Sequence, residues 1–336
     1  MIICRTPLRV SFVGGGTDLP SFYRRHGGAV VSMAVDWHFY LSMHKFFGGQ
    51  KSLLKYSQTE LVDDPGEIQH RIIREVFTEA NLRGVDFASA ADVPAGTGMG
   101  SSSSFTVGLL HLVHAWRGRY FPQHVLAEMA CRIEIDRLGE PIGKQDQYGA
   151  AIGGLKLIRF NADETVTVTP IFLRPSERMT LEGNLMLFYL GNQRAASSVL
   201  IAQKRATETC EATIRSLTRM ADQAERLRSD IAVDVNLLGE HLHDAWMLKR
   251  GLSAGITNPA IDDAYNAARA AGAVGGKLLG AGAGGFLLIY APPEKQDAIG
   301  AALRDLPLHR VKIDHAGSTI IYDDRTEPTE FGKIDA

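Results

Sequence analysis

The sequence predicts an α+β protein of two domains, and three observations lead to that prediction. The chain has 336 residues, which is more than one ordinary hydrophobic core organises. Its first half opens with strand-like segments followed by helical ones, and its second half is mostly helical. The pattern changes around residues 174–176, so we expect domains at residues 1–175 and 176–336.

The elements of the first domain follow from the spacing of apolar and β-branched residues. Runs over 2–13 and 29–43, each bounded by glycines, predict the first two strands. Apolar residues at helical spacing, from Ile68 to Val76, predict a helix over 67–81. The remaining predicted elements are a strand over 85–93, helices over 101–116 and 122–138, and a hairpin of strands over 155–160 and 165–171.

The second domain is predicted to end in alternating strands and helices after a mainly helical start. The predicted helices span 205–227, 235–249, 259–271 and 293–303, and the predicted strands span 185–190, 274–279, 286–291, 311–313 and 319–322. The polar tail after Asp323 is expected to fray.

Composition and charge argue against several classes of protein. A net charge of −2 provides no electrostatic footprint for nucleic acid or an anionic membrane. The three cysteines lack CxxC spacing, which argues against a zinc site or a disulfide framework and fits a reducing compartment. No signal-peptide pattern opens the chain, and no apolar run reaches the roughly 20 residues that span a bilayer. We expect a cytoplasmic protein that is a monomer or homodimer.

The stretch PAGTGMGSSSS, residues 94–104, predicts an anion-binding loop. Gly96, Gly98 and Gly100 allow the backbone to approach a ligand and turn its N–H groups inward. Ser101 lies at the expected helix N-cap, where free N–H groups and the positive end of the helix dipole face the loop. The obvious anion is a phosphate chain, and the serine hydroxyls are possible Mg²⁺ ligands. A flexible linker is the alternative, but a strand before the loop and a helix after it argue against one.

A second stretch, IEIDRLGEPIGKQDQYG at residues 133–149, places two carboxylates on either side of a loop that contains glycine and proline. Glu134 could bind a metal ion while Asp146 accepts a proton from an attacking hydroxyl. Lys144 could balance the charge that develops on a phosphate. On spacing alone, the commoner interpretation is a solvated, charged helix end.

A third stretch, GGKLLGAGAGGF at residues 275–286, is dense in glycine and flanked by strands. This density implies that two backbones, or a backbone and a ligand, lie in close contact. A tight turn between domains is the alternative. Residues 280–285 match the dinucleotide pattern GxGxxG, but a strand follows where a helix should begin, so we exclude a dinucleotide site.

Three stretches, PLRVSFVGGGTD (7–18), PAGTGMGSSSS (94–104) and GGKLLGAGAGG (275–285), resemble the three ordered motifs of the GHMP kinases. That superfamily includes galactokinase, homoserine kinase and mevalonate kinase. The resemblance extends over almost the whole chain, in the order and spacing of the family. It implies an N-terminal domain like ribosomal protein S5 domain 2, a ferredoxin-like C-terminal domain, and a nucleotide and substrate bound between them.

The resemblance also implies roles for individual residues. It assigns the second motif to the phosphates of ATP, and it assigns Ser102 and Glu134 to Mg²⁺. Asp146 aligns with the catalytic aspartate of the galactokinase and mevalonate kinase branches. The residues expected to contact ATP are Pro94, Gly96, Gly98, Met99, Gly100, Ser101, Ser102 and Ser103.

Further candidates concern charge and the acceptor substrate. Arg9 and Lys144 are expected to stabilise charge during transfer, and Asp18 looks suited to bind sugar hydroxyls, as in the sugar kinases of the family. Arg194 is the first candidate for a phosphate already present on the substrate, because it follows a strand end and opens a helix. Its rivals are Arg24, Arg25 and Lys45. The expected substrate contacts are Gly15, Gly16, Thr17, Asp18, Arg194, Gly282 and Gly284.

Within the superfamily, RTPLRVSFVGGGTDLPSFY, GKQDQYG and GNQRAASSVL resemble the D-glycero-D-manno-heptose 7-phosphate kinases in particular. The implied reaction transfers the γ-phosphoryl group of MgATP to the anomeric hydroxyl, which gives the 1,7-bisphosphate for activated-heptose biosynthesis. One alternative is another GHMP enzyme, such as a fucose-type sugar kinase or a diphosphate decarboxylase of the mevalonate pathway. A non-catalytic sensor that binds ATP or a sugar is the other.

Overall fold

The computed structural model describes residues 1–191, 196–253 and 255–325. The elements of the first half are β1 (Ile2–Val13), α1 (Pro20–His26), β2 (Gly28–Lys45), β3 (Ser52–Lys55), β4 (Thr59–Val62), α2 (Arg71–Glu79), β5 (Val85–Ala91), α3 (Ser101–Trp116), α4 (Gln123–Cys131), α5 (Gln145–Ala151), β6 (Leu155–Phe160) and β7 (Val166–Pro170). A short 3₁₀ turn lies at Pro65–Glu67, and a π turn at Arg132–Arg137 continues α4.

The elements of the second half begin immediately after the loop that follows β7. They are α6 (Pro175–Asn184), β8 (Leu185–Tyr189), α7 (Ala196–Thr209), α8 (Glu211–Asp230), α9 (Leu238–Lys249), α10 (Pro259–Ala270), β9 (Gly275–Leu278), β10 (Phe286–Tyr290), α11 (Pro293–Ala302), β11 (Leu308–His309) and β12 (Thr319–Asp323). A 3₁₀ turn at Val235–Leu237 precedes α9.

The strands in the described part of the chain form two sheets. The larger has eight strands in the order β12-β1-β2-β5-β3-β4, with β6 also paired to β2 and β7 to β6. The long strand β2 pairs with β6 through Gly28–Met33 and with β5 through Phe39–Lys45, so its two halves hold different neighbours. The smaller sheet has four antiparallel strands in the order β11-β8-β10-β9. Helices and two sheets of this kind confirm the predicted α+β class.

Three apolar cores formed by the described residues hold these layers together. One lies between α3, α4 and the larger sheet, and it includes Leu41, Phe87, Leu109 and Leu112. Another contains residues of both sheets, including Val10, Val31, Leu187 and Leu288. The third lies behind the smaller sheet and includes Met186, Leu217, Trp246 and Ile261. The second core packs the two sheets against each other. The loops between the sheets therefore rest on closely packed side chains.

Most predicted elements are confirmed, and the differences have local causes. The predicted strand over 311–313 is wrong, because this segment forms a single β-bridge, from Ile313 to Val35. The chain turns directly afterwards, where the Asp314 carboxylate accepts from two backbone N–H groups. The predicted helix over 205–227 is instead two helices that meet at Cys210. Six elements were not predicted, namely α1, β3, β4, α5, α6 and β11. All have seven residues or fewer except α6, which has ten.

The domain limits of 1–175 and 176–336 stay a prediction. The last strand, β12, returns to pair with β1 in the larger sheet, although its sequence position is in the second predicted domain. Within the described ranges, every helix is too short or too polar to cross a membrane.

Candidate functional site

A cavity of about 490 Å³ lies where the first glycine loop, the N-terminus of α3, α5, α9 and β9 meet. Its size suits a small-molecule ligand. The residues that line it include Arg9, Ser11, Gly15, Gly16, Asp18, His70, Arg71, Ile72, Gly96, Gly98, Gly100, Ser101, Ser102, Ser103, Glu134, Leu138, Glu140, Ile142, Gln145, Asp146, Gln203, Lys249, Lys277 and Gly280. The cavity therefore brings together all three glycine-rich motifs that the sequence analysis singled out.

The loop before α3 has the geometry of an anion cradle. Gly96, Gly98 and Gly100 have φ angles of +77°, +82° and +74°, a region that side-chain-bearing residues rarely adopt. The N-cap is Gly100 rather than the expected Ser101, which is the first helical residue. The first N–H groups of the helix have no partner within it, and the buried Ser101 hydroxyl also lacks a protein partner among the described residues. The residues that carry these donors line the cavity, so the site is suited to phosphate oxygens.

The third glycine motif supports this loop through backbone contact. A Cβ added at Gly98 would lie 2.6 Å from the Leu279 carbonyl oxygen, and one at Gly280 would lie 2.4 Å from the Gly98 Cα. A Cβ at Gly285 would lie 2.4 Å from the Thr97 carbonyl oxygen. The glycine density at 275–285 therefore serves the close approach of two backbones, which is one of the two arrangements that it implied.

Replacing Gly98 with alanine is expected to weaken both folding and ATP binding. The positive φ alone costs an alanine about 1–2 kcal/mol, and contact with the Leu279 carbonyl adds to this. Gly154→Ala is the matched control, since Gly154 has a φ of +81° and no atom within 4 Å of an added Cβ. Denaturant unfolding and ATP titration should show a larger loss of stability for Gly98→Ala, and only that variant should lose ATP affinity. Equal losses of both quantities in the two variants would contradict this role of the loop.

Glu134 lies on the π turn that continues α4, fully buried and facing the start of α3. The Ser102 hydroxyl donates to its Oε1 at 2.6 Å, and the Gln147 amide donates to its Oε2 at 2.8 Å. Burial raises the pKa of Glu134, although hydrogen bonds from Ser102, Ser103 and Gln147 oppose the rise. The structure thus joins the two predicted Mg²⁺ ligands, which are 32 residues apart in the sequence.

The Ser102 and Glu134 oxygens suit a Mg²⁺ ion that also binds phosphate and water, rather than a metal ion whose ligands are all protein side chains. Among the described residues there is no group of three His, Cys, Asp or Glu side chains that could hold an ion. Mg²⁺ is commonly bound by one or two carboxylates together with substrate phosphates and waters. One carboxylate and one hydroxyl beside a phosphate cradle match that pattern.

Asp146 lies in the first turn of α5 and forms an ion pair with Arg9. The Arg9 Nε and Nη2 atoms lie 2.8 and 2.7 Å from Oδ1 of Asp146. The Arg9 Nη1 also donates to the Gly98 carbonyl at 2.8 Å, and its backbone N–H donates to the Met99 carbonyl at 3.1 Å. Arg9 is 4% exposed and the Asp146 side chain is 27% exposed, so the carboxylate is the partner that reaches the open cavity.

Asp18 is buried at the end of the first glycine loop. Its Oδ1 accepts from the Gly16 N–H at 2.9 Å and from the Gln145 amide at 3.1 Å. Burial raises the pKa of Asp18, and the charge of Asp146 adds to the rise. A Cβ at Gly143 would lie 2.0 Å from Oδ2 of Asp18, so only glycine allows the loop before α5 to approach this carboxylate.

The structure does not bring Lys144 into the cavity. Its Nζ donates to Oε2 of Glu164 at 2.7 Å and lies 5.2 Å from the centroid of the Tyr23 ring. Arg24, a rival candidate for the substrate phosphate, also pairs with Glu164, at 2.5 Å. The Lys144 ion pair attaches the loop before α5 to the β6–β7 hairpin, and the Arg24 ion pair attaches α1 to it, which are structural roles.

The other predicted contacts divide into three groups. The first group lines the cavity, and it contains Gly15, Gly16, Asp18, Gly96, Gly98, Gly100, Ser101, Ser102 and Ser103. Four others do not line the cavity. Pro94 is exposed and its carbonyl accepts from Thr97, Thr17 exchanges hydrogen bonds with Ala29, Met99 is in a core and Gly282 packs on Ile256. Gly284 is not among the residues that line the cavity. Arg194 lies outside the described residues.

Sequence reasoning missed two buried lysines on the cavity wall. Lys249, the last residue of α9, donates to the Gly280 carbonyl, and Lys277 of β9 donates to the Ser11 carbonyl at 2.8 Å. Burial lowers the pKa of Lys249 to about 8 and that of Lys277 well below its usual value. Lys277 is part of the third motif and could have been noticed there, whereas Lys249 resembles any solvated lysine at a helix end.

Comparison with known families gives two matches. Residues 68–154 match the family described as the GHMP kinases N terminal domain, and residues 227–307 match the GHMP kinases C terminal domain. The first match contains the phosphate cradle, Glu134 and Asp146, and the second contains Lys249, Lys277 and the supporting glycine motif.

Individual proteins similar to this chain include a D-glycero-α-D-manno-heptose 7-phosphate kinase from Campylobacter jejuni. It is 27% identical over 315 residues, covering 89% of this chain and 92% of that protein. A crystal structure described as a D-glycero-D-manno-heptose 1-phosphate kinase from Bacteroides thetaiotaomicron has a TM-score of 0.78 at 20% identity, covering 96% of this chain and 100% of that one. Lactococcus lactis galactokinase, solved with galactose, has a TM-score of 0.73 at 16% identity, covering 95% and 94%. These structures confirm the expected two-domain fold.

Proposed function

The chain belongs to the GHMP kinase family, and we propose that it transfers the γ-phosphoryl group of ATP to the anomeric hydroxyl of D-glycero-D-manno-heptose 7-phosphate. The product is the 1,7-bisphosphate, used in the biosynthesis of nucleotide-linked heptose. The observation that carries the kinase chemistry is the arrangement of Asp146, Arg9 and the cradle at Gly98, joined by hydrogen bonds around one cavity. Similarity to the Campylobacter heptose 7-phosphate kinase along most of both chains supports the choice of sugar.

The cavity offers separate places for the parts of ATP. The N–H groups at the start of α3 and the hydroxyls of Ser101 and Ser103 would hold the phosphates. Apolar side chains lie on another part of the wall, where Ile72, Leu138 and Ile142 would contact the base. This division lets one rigid helix end position the γ-phosphate while the base fixes the orientation of the nucleotide.

Ser102 and Glu134 would hold the magnesium ion that accompanies ATP. A bound Mg²⁺ neutralises charge on the β- and γ-phosphates. Gln147 donates to the Glu134 oxygen that Ser102 does not contact, so it fixes the rotation of the carboxylate. Glu134 lies on the π turn that continues α4, and such turns are frequent at functional sites.

Asp146 is the proposed base or orienting group for the acceptor hydroxyl. Its carboxylate reaches the cavity while Arg9 holds it beside the phosphate cradle, so a hydroxyl bound to Asp146 would lie next to the phosphates. Arg9 itself would offset negative charge during transfer. Asp18 would accept from further sugar hydroxyls, since its carboxylate lies in the same cavity wall.

One of the sequence-based candidates changes in this proposal. Lys144 is left out of the reacting group because it pairs with Glu164. Arg194 stays a candidate for the 7-phosphate. A cytoplasmic location also stays part of the proposal, since Cys4, Cys131 and Cys210 are free thiols.

Coupled ADP release over a panel of acceptors tests the substrate. We expect kcat/KM for heptose 7-phosphate to exceed that for unphosphorylated heptose by about 10- to 100-fold, the effect of one or two charged hydrogen bonds. Fucose, galactose and mevalonate serve as competing acceptors. Preferred turnover of an unphosphorylated sugar would contradict the heptose 7-phosphate assignment but keep the kinase. ATP binding without release of ADP for any acceptor would favour a sensor.

A further inference from the structure

Two lysines on the cavity wall are buried without a counter-ion. Lys249 is 6% exposed and Lys277 is 2% exposed. Each ammonium has three donors, yet the hydrogen bonds formed by each go to backbone carbonyls, of Gly280 and Ser11 respectively. Within the described part of the chain, neither ammonium forms an ion pair with a carboxylate.

The surroundings of these lysines oppose their charge. Burial is the main reason for the lowered pKa of Lys249, and the Arg9 guanidinium lowers it further, while the carboxylates of Asp18 and Asp146 raise it. For Lys277, burial is again first, followed by the charges of Lys249 and Arg9. Buried cations that lack a partner destabilise a fold, and apolar residues of similar volume would fill the space better. The arrangement is therefore best explained by an anion that a ligand brings.

We propose that Lys249 and Lys277 form a second phosphate-binding subsite, separate from the cradle at residues 96–103. This proposal rests on the proposed kinase function. A phosphoryl group suits the pair because it brings up to two negative charges and three acceptor oxygens, enough to satisfy both ammonium groups. A carboxylate brings one charge and would leave the pair partly uncompensated.

The position of the subsite leaves two phosphoryl groups of the reaction that it can bind. Gly280, whose carbonyl Lys249 contacts, packs on Gly98 of the cradle, so the pair lies beside the end of the nucleotide phosphates. Lys249 also lines the same cavity as Asp18 and Asp146, the residues proposed to contact the acceptor. The bound group is therefore either the phosphate already on the acceptor or the γ-phosphate in transit.

Lys249→Met, compared with Lys249→Arg, tests the subsite. Lys51→Met is the control, since Lys51 is an exposed lysine paired with Asp63 at 3.2 Å. For each variant, kcat/KM is measured with heptose 7-phosphate and with heptose, and calorimetry gives the affinities for ATP and ADP. We expect Lys249→Met to lose about 10- to 100-fold for one phosphorylated ligand relative to its less phosphorylated partner.

The pattern of loss identifies the source. If Lys249→Met loses the preference for heptose 7-phosphate over heptose while its ratio of ATP to ADP affinity is unchanged, the subsite binds the phosphate of the acceptor. If Lys249→Met loses the preference for ATP over ADP while kcat/KM falls equally for both acceptors, the subsite binds the γ-phosphate. Equal losses for every ligand, or no loss beyond that of Lys51→Met, would overturn the subsite. If wild-type enzyme does not use heptose 7-phosphate, the proposed substrate fails, while the comparison of ATP with ADP still tests the lysines.

A pH profile separates charge from packing. Lys249 is protonated below its pKa of about 8, so the preference for the phosphorylated ligand is expected to fall as pH rises through that value. The groups that influence it are Arg9, Asp18, Asp146 and Lys277. In Lys249→Arg the fall should disappear, because the guanidinium stays charged. A fall of the same size in Lys249→Arg would assign the titration to another group and contradict the role of Lys249.

Discussion

Replacing Asp146 with asparagine is expected to lower kcat by about 10²- to 10⁴-fold while ATP binding is retained. Asparagine has nearly the same shape but cannot accept the proton of the acceptor hydroxyl. ATP binding should survive because the cradle donors come from the backbone at the start of α3, not from α5. Single-turnover kinetics and ATP titration measure the two effects separately.

The control for this substitution is Asp136→Asn. Asp136 is exposed on the π turn, two residues from Glu134, so its neutralisation changes net charge equally without altering the cavity. Asp146→Asn also leaves the buried Arg9 with a weaker partner, and a thermal unfolding curve shows how much of the effect is structural. Near-normal kcat in Asp146→Asn would contradict the assignment of this carboxylate to the acceptor hydroxyl.

Replacing Glu134 with glutamine is expected to lower kcat/KM about 10²-fold or more and to raise the Mg²⁺ concentration needed for half-maximal rate. The metal contributes several kcal/mol to stabilising charge in transfer reactions, and about 1.4 kcal/mol corresponds to tenfold in rate. Glutamine keeps the volume of a fully buried side chain and can still accept from Ser102, so the fold should be retained. The rate is measured as a function of Mg²⁺ at saturating ATP.

The Mg²⁺ concentration needed for half-maximal rate is expected to depend on pH through the Glu134 carboxyl group. Because the pKa of Glu134 is raised, its carboxyl takes up a proton at a higher pH than an ordinary glutamate, so the requirement should rise as pH falls. Glu134→Gln should lack that dependence. Glu128→Gln, at an exposed glutamate earlier on the same helix, should behave as wild type. An unchanged Mg²⁺ requirement in Glu134→Gln would remove this residue from the metal site.

The sequence was most informative where function depends on local backbone geometry. The glycines at 96, 98 and 100 have the positive φ angles that their residue type suggested, and α3 begins immediately after them as predicted. The resemblance to the GHMP kinases then predicted which distant segments act together, including those of Ser102 and Glu134. Without that resemblance, spacing alone favoured a solvated role for Glu134, which is fully buried.

Features that depend on tertiary packing could not be predicted from the sequence. The helix α5, which carries Asp146, has seven residues and a glycine, too short for a periodic pattern. Lys249 is on the cavity wall because α9 packs against β9, and nothing in its own neighbourhood distinguishes it from a solvated lysine. Lys144 has an ion pair with Glu164 because the loop before α5 lies against the β6–β7 hairpin, a contact between segments 20 residues apart.

Analysis of the reaction product is the most direct test of the central claim. Purified protein is incubated with MgATP and D-glycero-D-manno-heptose 7-phosphate, and the products are resolved by phosphorus and proton NMR. We predict ADP in equal amount to a sugar with a second phosphate ester, whose phosphorus couples to the anomeric proton. An ester at another carbon, or ADP and inorganic phosphate with the sugar unchanged, would contradict phosphoryl transfer to the anomeric hydroxyl.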